Sequence, residues 1–406
     1  MRVCAKVNEN VKVNFIFVLV VISIFTLPFV NVLHFALPLG NAFGKSTWLV
    51  VPVFVLITAY FKRILTRNFS LNSLDLTLVF IVVFAGIIFT VRYIVYDEVH
   101  SFLNYRYLAT SLVYLAIASQ IVKNKLMLRV IALTIVATGL AVAVVQAINF
   151  NFFPNVMLFT DDAGVIRLIF DGYQTRSRLL GASISGNQIV CSMFVLVALV
   201  KSNFIRMNLW VSWILLLFMV YAVSLGESRY PIAIAISLLV FNFFYNNLQH
   251  TKIILVAFSV LLLTSYVFSN FENLHISRIN EDSGGRIEKT ILGFKILSDS
   301  VTNFSIGASN FQVGNATEQG YVFSDNSYFE VAISFGIPFA VIFFTLWFNF
   351  ISRYIVNILS LFFLGYLVVG LSLTNCILWE SWLCLAMFSI AVVGSIRHSS
   401  CQVQHT

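Results

Sequence analysis

The sequence predicts an all-α polytopic integral membrane protein with about twelve transmembrane helices, on the grounds of composition, hydropathy and charge distribution. Of its 406 residues, 59% are apolar and only 10% are charged, and the mean hydropathy is +0.92. Soluble domains are about a quarter charged and slightly less than half apolar. A soluble chain of this composition would expose large apolar surfaces to water, so we expect lipid to surround this one.

Apolar windows follow one another along the chain, and we expect each to form a membrane-spanning helix. The first window is too long and too poor in small-residue cleavage signals for a removed signal peptide, so it is kept as a helix. The windows are residues 13–30, 47–61, 74–91, 103–122, 126–148, 188–200, 209–224, 231–245, 253–268, 326–350, 354–374 and 378–396. Two long segments, 149–186 and 270–325, separate spans within what we expect to be a single membrane domain.

Every second predicted connection is basic, and this pattern predicts the orientation. Fourteen of the 25 Lys and Arg residues lie at the two termini and in alternate connections, where only Glu9 and Asp75 accompany them. Basic connections face the cytoplasm, so both termini are predicted to be cytoplasmic and both long segments to lie outside. The formal net charge of +8 is therefore an orientation signal, and no nucleic-acid partner is expected.

The sequence lacks the motifs of metal-dependent and nucleotide-dependent enzymes. Its six His residues are scattered, without an HExxH or a Cys/His cluster that would bind zinc. It has no Walker-type phosphate loop, and the Gly181–Gly186 stretch has the wrong spacing for a GxSxG nucleophile elbow. We therefore expect neither a metal nor a cofactor.

Arginines near the outer ends of the predicted spans are the first candidates for chemistry. Arg176 and Arg178 end the first long segment at the expected headgroup level. Their planar guanidinium groups can hold the oxygens of a diphosphate in bidentate fashion and keep their charge. Snorkelling, or pairing with Asp171, is the alternative. Arg92 and Arg106 flank another outer loop. Interfacial anchoring is expected for them, and a contribution of positive charge to the same cavity is the alternative.

A short outer turn between two spans, Ser224–Pro231, carries Glu227 and Arg229. An ionisable pair this close to hydrocarbon is a candidate functional site. A purely local ion pair between Glu227 and Arg229 is the alternative.

The second long segment contains Asp282-Ser-Gly-Gly-Arg286 before a stretch with helical spacing. Free backbone N–H groups at the start of that helix, together with Arg286, are predicted to bind an anion. A helix lying on the membrane surface and an ordinary helix start with a solvated Arg are the alternatives. The spacing is carried by Ile287, Ile291, Phe294 and Leu297.

The same segment closes at the outer mouth of a span. Asp325 and Asn326 stand at this mouth, with Glu330 about one turn deeper. A carboxylate at this depth is costly unless paired, and a raised pKa would make it a usable general base. A plain helix N-cap by Asp325 is the alternative.

In their order along the chain, these motifs resemble those of the O-antigen polymerase (Wzy) and O-antigen ligase superfamily. The matching stretches are RSRLLGxxxxxN at 176–187, SxGxSR at 224–229, SGGR at 283–286 and DNSYFEVAISFGI at 325–337. The resemblance covers most of residues 170–340, and the N-terminal half matches only in hydropathy.

The resemblance implies a GT-C-type glycosyltransferase of lipopolysaccharide biosynthesis, acting on the periplasmic side of the bacterial inner membrane. Donor and acceptor would be glycans on undecaprenyl diphosphate, and the polyprenyl diphosphate would leave without a metal or nucleotide sugar. Arg178, Arg229 and Arg286 occupy the positions of the family arginines that are thought to hold this diphosphate. Arg176 and Asn326 are further binding candidates, and the base would be Asp325, Glu330 or Glu227. Membrane lipid and a chain-length regulator are partners that the resemblance allows.

Two alternative functions stay open. Ligases of this superfamily, which transfer finished glycan to lipid A-core, usually carry His where this chain has Asp325, so the sequence favours a polymerase. A flippase or transporter would be expected to show paired halves with broken helices and mid-span charges. Here the ionisable groups concentrate at the outer mouths of the predicted spans.

Overall fold

The computed structural model of the protein describes residues 15–29, 73–97, 113–152, 158–160, 166–168, 170–171, 178–179, 185–205, 207–225, 229–244, 286–309, 326–373 and 380–396. The predicted spans at residues 47–61 and 253–268 lie outside this part of the chain, as do Arg106, Arg176, Glu227 and Asp325.

Helices dominate the described residues, in agreement with the predicted all-α fold. They are α1 (Phe15–Thr26), α2 (Ser73–Tyr96), α3 (Lys125–Phe152), α4 (Ser185–Lys201), α5 (Leu209–Leu225), α6 (Arg229–Phe244), α7 (Arg286–Ser298), α8 (Val301–Ile306), α9 (Ser327–Phe335), α10 (Ile337–Ser352), α11 (Ile358–Leu373) and α12 (Glu380–Ser395). Residues 113–121 are also helical, and Leu27–Phe29 form a 3-10 turn. Within the described part, Val79–Tyr96 and Lys125–Ile148 are long and apolar enough to cross a membrane, and several shorter helices are apolar.

Two small antiparallel ladders lie in the first long segment, where the sequence had predicted no strands. Strand β1 (Leu158–Thr160) pairs with β2 (Ile166–Leu168), and β3 (Phe170–Asp171) pairs with β4 (Arg178–Leu179). These strands consist largely of β-branched, aromatic and leucine residues, which suit a pleated ribbon. Their length of two or three residues is below what hydrophobic periodicity can identify.

Helix α4 is the centre of the described bundle, because its residues 186–199 are all buried. It packs against α3, α5, α6 and α12. The closest approach is to α3, where a Cβ on Gly139 would collide with the side chain of Ser192. The Ser192 hydroxyl donates to the carbonyl of Ile135 at 2.7 Å. Small residues at a crossing let two helix backbones approach closely, so α3 and α4 pack tightly against each other.

Contacts at the ends of these helices show that α3, α4, α5 and α6 alternate in direction. Gln146 near the end of α3 donates to the carbonyl of Ala222 near the end of α5 at 2.8 Å. Gly186, at the start of α4, faces Pro231 in the first turn of α6. These residues all belong to ends that the charge pattern predicts to lie outside. We call this end of the bundle the motif end.

The opposite end of the bundle carries basic residues, and we call it the basic end. Lys201, the last residue of α4, donates to the carbonyl of Asn242 in the last turn of α6 at 2.7 Å. Helices α11 and α12 meet at this end as well, where the Asn357 side chain donates to the carbonyl of Val393 at 3.1 Å. Arg353 is exposed in the connection between α10 and α11. A cation beside the last carbonyls of a helix also stabilises it.

The predicted span 326–350 is not one helix, and here the sequence prediction was wrong. It divides at Gly336 into α9 and α10. Gly336 has φ +88° and ψ 158°, a conformation available essentially only to glycine, and its N–H closes α9 on the carbonyl of Ala332. Pro338 in the first turn of α10 then starts a new helix without the loss of a hydrogen bond.

Candidate active site

Residues that belong to or adjoin three sequence motifs meet on one stretch of α11. The Tyr366 hydroxyl donates to the side-chain oxygen of Asn187 at 3.0 Å, and Asn187 ends the RSRLLGxxxxxN motif. The carbonyl of Tyr366 accepts from the hydroxyl of Tyr230 at 2.6 Å. Two residues further on, the carbonyl of Val368 accepts from the hydroxyl of Tyr328 in the closing motif at 3.0 Å. Motifs that are far apart in sequence thus share one anchoring site at the motif end.

The side chain of Tyr366 is held in a fixed orientation. Its ring stacks on that of Tyr230 with 5.5 Å between centroids and 14° between planes. The indole N–H of Trp382 in α12 donates to its hydroxyl at 3.1 Å. All three side chains are buried. Because a buried hydroxyl or indole N–H without a partner is costly, these bonds fix α4, α6, α11 and α12 relative to one another.

Arg229 is the first residue of α6 and directly precedes the anchored Tyr230. The stacked ring and the hydroxyl bond of Tyr230 therefore determine where the backbone of Arg229 lies, namely at the motif end. The third residue of the helix, Pro231, fits there because the first-turn N–H groups of a helix have no intrahelical acceptor. The predicted functional arginine thus begins a rigid helix.

Arg178 lies in β4, and the ladder register places it directly opposite Asp171 in β3. Directly opposed residues of an antiparallel pair are neighbours on the same face of the ladder. The register thus places Arg178 opposite Asp171, the partner expected if Arg178 forms a local pair rather than binding diphosphate. The diphosphate role of Arg178 remains a prediction.

Arg286 is the first residue of α7, so the helix begins directly after Ser-Gly-Gly, as the sequence predicts. Helix α7 packs on α9 of the closing motif. A Cβ on Gly293 would collide with the ring of Phe329, and the rings of Phe294 and Phe329 have centroids 5.1 Å apart. The second long segment is therefore joined directly to the helix that carries the candidate base.

The buried face of α7 differs from the predicted one. Gly293 and Leu297 are buried, whereas Ile291 and Phe294, which belong to the predicted apolar face, are exposed. The sequence pattern counted only large apolar residues and therefore missed a glycine at the contact. Close approach of the Phe329 ring requires a residue without a Cβ at this point.

In the closing motif, Asn326 rather than Asp325 is the N-cap of α9. Its side-chain oxygen accepts from the N–H of Phe329 at 3.2 Å. Glu330 follows in the first turn, partly buried and with its Oε2 atom shielded from solvent. A negative side chain in a first turn interacts favourably with the helix dipole. Helix capping thus accounts for Asn326, and Glu330 is the candidate base that the structure describes.

Arg92 is a residue whose part the sequence prediction missed. It was expected to anchor at the membrane interface, but it is 1% exposed. Its guanidinium donates to the carbonyls of Ile306 at 2.9 Å and Ala308 at 2.8 Å. One turn on, the hydroxyl oxygen of Tyr96 lies 3.0 Å from both the side-chain oxygen of Asn303 and the carbonyl oxygen of Gly307, which share its single proton. An arginine directly after the predicted span 74–91, close to hydrocarbon, was the available signal.

Among the described residues, no group of three or more His, Cys, Asp or Glu side chains is placed to hold a metal ion. Cys191 and Cys384 are buried free thiols.

Comparison of the chain with protein-family models, with curated proteins and with solved structures finds no match.

Proposed function

We propose that this protein is a membrane glycosyltransferase that polymerises undecaprenyl-diphosphate-linked oligosaccharide repeat units of O-antigen or a related surface polysaccharide. The observation that supports this proposal best is the convergence on α11. Asn187, Tyr230 and Tyr328 each belong to or adjoin a different motif, and all three bond to Tyr366 or Val368. Motifs that serve one reaction need such a common site.

The proposal places the bundle in the bacterial inner membrane, with both termini cytoplasmic. Most of the exposed side chains described along α2 are apolar, among them Val79, Val83 and Ile87, as expected for a surface that faces lipid. The basic end, with Lys201 and Arg353, would face the cytoplasm. The motif end then faces the periplasm, where lipid-linked repeats are polymerised.

In the proposed reaction, a sugar hydroxyl of one lipid-linked glycan attacks the anomeric carbon of the glycan on a second carrier. The new bond joins the hydroxyl oxygen to this carbon, and the bond from the carbon to the diphosphate oxygen breaks. Negative charge accumulates on the departing diphosphate. Arg178, Arg229 and Arg286 would stabilise that charge more in the transition state than in the ground state.

The hydroxyl proton goes to a carboxylate in this scheme. Asp325, Glu330 and Glu227 are the candidates, and Arg176 and Asn326 would contact diphosphate or glycan. In the sequence, Asp325 directly precedes Asn326, the cap of α9. Since no nucleotide or metal enters the scheme, the chain's own cations must neutralise the leaving group.

The experiment is complementation of a strain in which this gene is deleted, with lipopolysaccharide analysed by gel electrophoresis. Deletion should leave a single repeat on the core, because a polymerase acts before ligation. Arg286→Ala and Asp325→Ala should each reduce chains longer than one repeat on the order of a hundredfold, as expected for loss of a charge-stabilising or proton-accepting group. Arg353→Ala, an exposed arginine at the basic end, is the matched control and should restore the full ladder.

Unchanged ladders in both site variants, at equal protein levels, would contradict the site assignment. Polymer that accumulates on the carrier lipid after deletion would instead identify a ligase. Repeats retained on the cytoplasmic face would identify a flippase.

A further inference from the structure

We propose that α7 and α8 form a re-entrant element whose exposed apolar edge lies against the acyl chains of outer-leaflet phospholipids. The apolar edge consists of Ile291 and Phe294 on α7 and Val301 and Phe304 on α8. This inference rests on the membrane placement given under the proposed function. It adds that part of the second long segment, which the charge pattern places outside the membrane, lies at the depth of the bilayer.

The first argument concerns depth. Arg92 lies within Val79–Tyr96, one of the two windows apolar and long enough to cross a membrane. The last turn of α2 still faces outward with apolar side chains, since Ile94 is 75% exposed and Val95 is also exposed. Arg92 and Tyr96 nevertheless bond directly to the end of α8 and to the turn that follows it. The end of α8 therefore lies level with a lipid-facing turn of α2.

The second argument concerns the backbone of the turn after α8. The carbonyls of Ile306, Gly307 and Ala308 each accept a hydrogen bond from Arg92 or Tyr96. Gly307 and Ala308 are buried, so their carbonyls need partners from the protein. At membrane depth, non-helical backbone is tolerated only where protein satisfies its polar groups. The arginine and tyrosine at the end of α2 meet that requirement for three consecutive residues.

The third argument concerns rigidity. The N–H of Ala308 donates to the carbonyl of Ile333 in α9 at 2.8 Å. Gly307 packs against the same carbonyl, and Gly336 packs against the backbone of Ser305. A Cβ at either position would collide with that neighbouring backbone. Helix α8 is thus docked from two sides, on α2 and at the break between α9 and α10. Its depth is determined by packing.

The remaining argument is the edge itself. Val301 is 83% exposed and Ile291 62% exposed, and Phe294 and Phe304 are also exposed. Lys295 is exposed on α7 beside Phe294, where its long chain can reach the headgroups from an apolar surface. Interfacial helices bury such faces about 5–10 Å into the boundary of headgroups and acyl chains. Arg286 begins the same helix, about 7 Å along its axis from Ile291. With Ile291 at the boundary of headgroups and acyl chains, Arg286 would be within reach of the headgroup region, where a lipid diphosphate would lie.

The test measures the depth of nitroxide spin labels on the full-length protein in vesicles of phosphatidylethanolamine and phosphatidylglycerol. Cys4, Cys376 and Cys401 are replaced by serine, and the buried Cys191 and Cys384 are retained. Labels are placed by Val301→Cys and Phe304→Cys on the edge, with Thr302→Cys as the matched control on the polar side of α8. Ile87→Cys, exposed on α2, reports separately whether that helix lies in the bilayer.

Collision rates with oxygen, which concentrates in hydrocarbon, are compared with those of a water-soluble nickel chelate. The proposal expects an oxygen-to-nickel ratio at positions 301 and 304 that is severalfold above that at 302 and below that at 87, because Ile87 lies deeper along α2 than the turn that contacts α8. A nickel-dominated result at 301 and 304, with 87 in hydrocarbon, would overturn the inference and leave the membrane placement intact. Low collision with both reagents would show protein covering the edge, which also overturns it. A nickel-dominated result at 87 would refute the membrane placement itself, and the inference with it.

Discussion

The side chain of Tyr366 links several helices at the motif end, and its hydroxyl group makes two of these links. It donates to Asn187 in α4 and accepts from Trp382 in α12, while the ring of the same residue stacks on Tyr230 in α6. These partners come from different parts of the chain and all are buried. The exchange of one hydroxyl therefore affects the relative positions of several helices.

We expect Tyr366→Phe to destabilise the protein by about 1–3 kcal/mol, because it leaves the buried groups of Asn187 and Trp382 without their partner. The ring stack on Tyr230 is retained, so the change isolates the hydroxyl. Thermal unfolding in detergent measures the effect, and the complementation assay measures polymer length. Tyr93→Phe, on an exposed tyrosine of α2, is the control and should leave both unchanged. Equal melting temperatures for the two variants would contradict the role assigned to Tyr366.

Other residues have roles that their side-chain chemistry alone did not reveal. Asn326 has an amide that could bind glycan, yet its oxygen caps α9. Arg92 has the charge of a phosphate ligand, yet its guanidinium holds the carbonyls of Ile306 and Ala308. In both cases a neighbouring backbone group with an unsatisfied hydrogen bond is the partner. Such partners are invisible until the chain is folded.

Among the elements, α9 and α10 are separated by a break that serves as a docking point. Gly336 ends α9 and contacts the backbone of Ser305, while Gly307 ends α8 and contacts the carbonyl of Ile333. Both glycines have φ near +90°, at 89° and 88°. The two helix ends can interlock in this way only because neither residue has a Cβ.

We expect Gly307→Ala and Gly336→Ala each to destabilise the protein by at least about 1–3 kcal/mol, the range for strained backbone, with steric overlap in addition. Gly86→Ala is the control, since a Cβ on this exposed helical glycine of α2 would meet nothing within 4 Å. That change should be neutral or stabilising by up to about 1 kcal/mol. Thermal unfolding in detergent measures all three variants. Wild-type stability in either junction variant would contradict the close contact.

At the scale of the whole molecule, the described helices place the anchored motif residues at one end of the bundle and Lys201 and Arg353 at the other. Asn187, Tyr230 and Tyr366 meet at the motif end, whereas Lys201 and Arg353 lie at the basic end. This polarity agrees with the alternation of basic connections in the sequence. It allows a direct experiment on the sidedness that the proposed function requires.

We expect Ser224→Cys to react with a membrane-impermeant maleimide on intact spheroplasts, and Asn203→Cys to react only after permeabilisation. Ser224 is exposed near the motif end, and Asn203 is exposed in the turn between α4 and α5 at the basic end. The protein carries the serine replacements of Cys4, Cys376 and Cys401. Labelling of Asn203→Cys in intact cells, with Ser224→Cys protected, would reverse the proposed orientation.

The sequence by itself determined the helical class, the positions of most described helices and the alternation of their charges. These features are local, because a run of apolar side chains and the charges beside it act on their own stretch of chain. The start of α7 at Arg286 and the helix beginning beside Asn326 follow from equally local signals.

Only the tertiary structure decided how the motifs meet and where the helices break. The convergence of Asn187, Tyr230 and Tyr328 on α11, the burial of Arg92 and the glycine contact between α8 and α9 all join residues far apart in the chain. Hydrophobic periodicity carries no information about such pairs. Each pair depends on how the two surfaces pack together and on which buried polar groups still need a hydrogen-bond partner. For this reason Gly336 lay inside a predicted span, and the structure showed it to be a boundary.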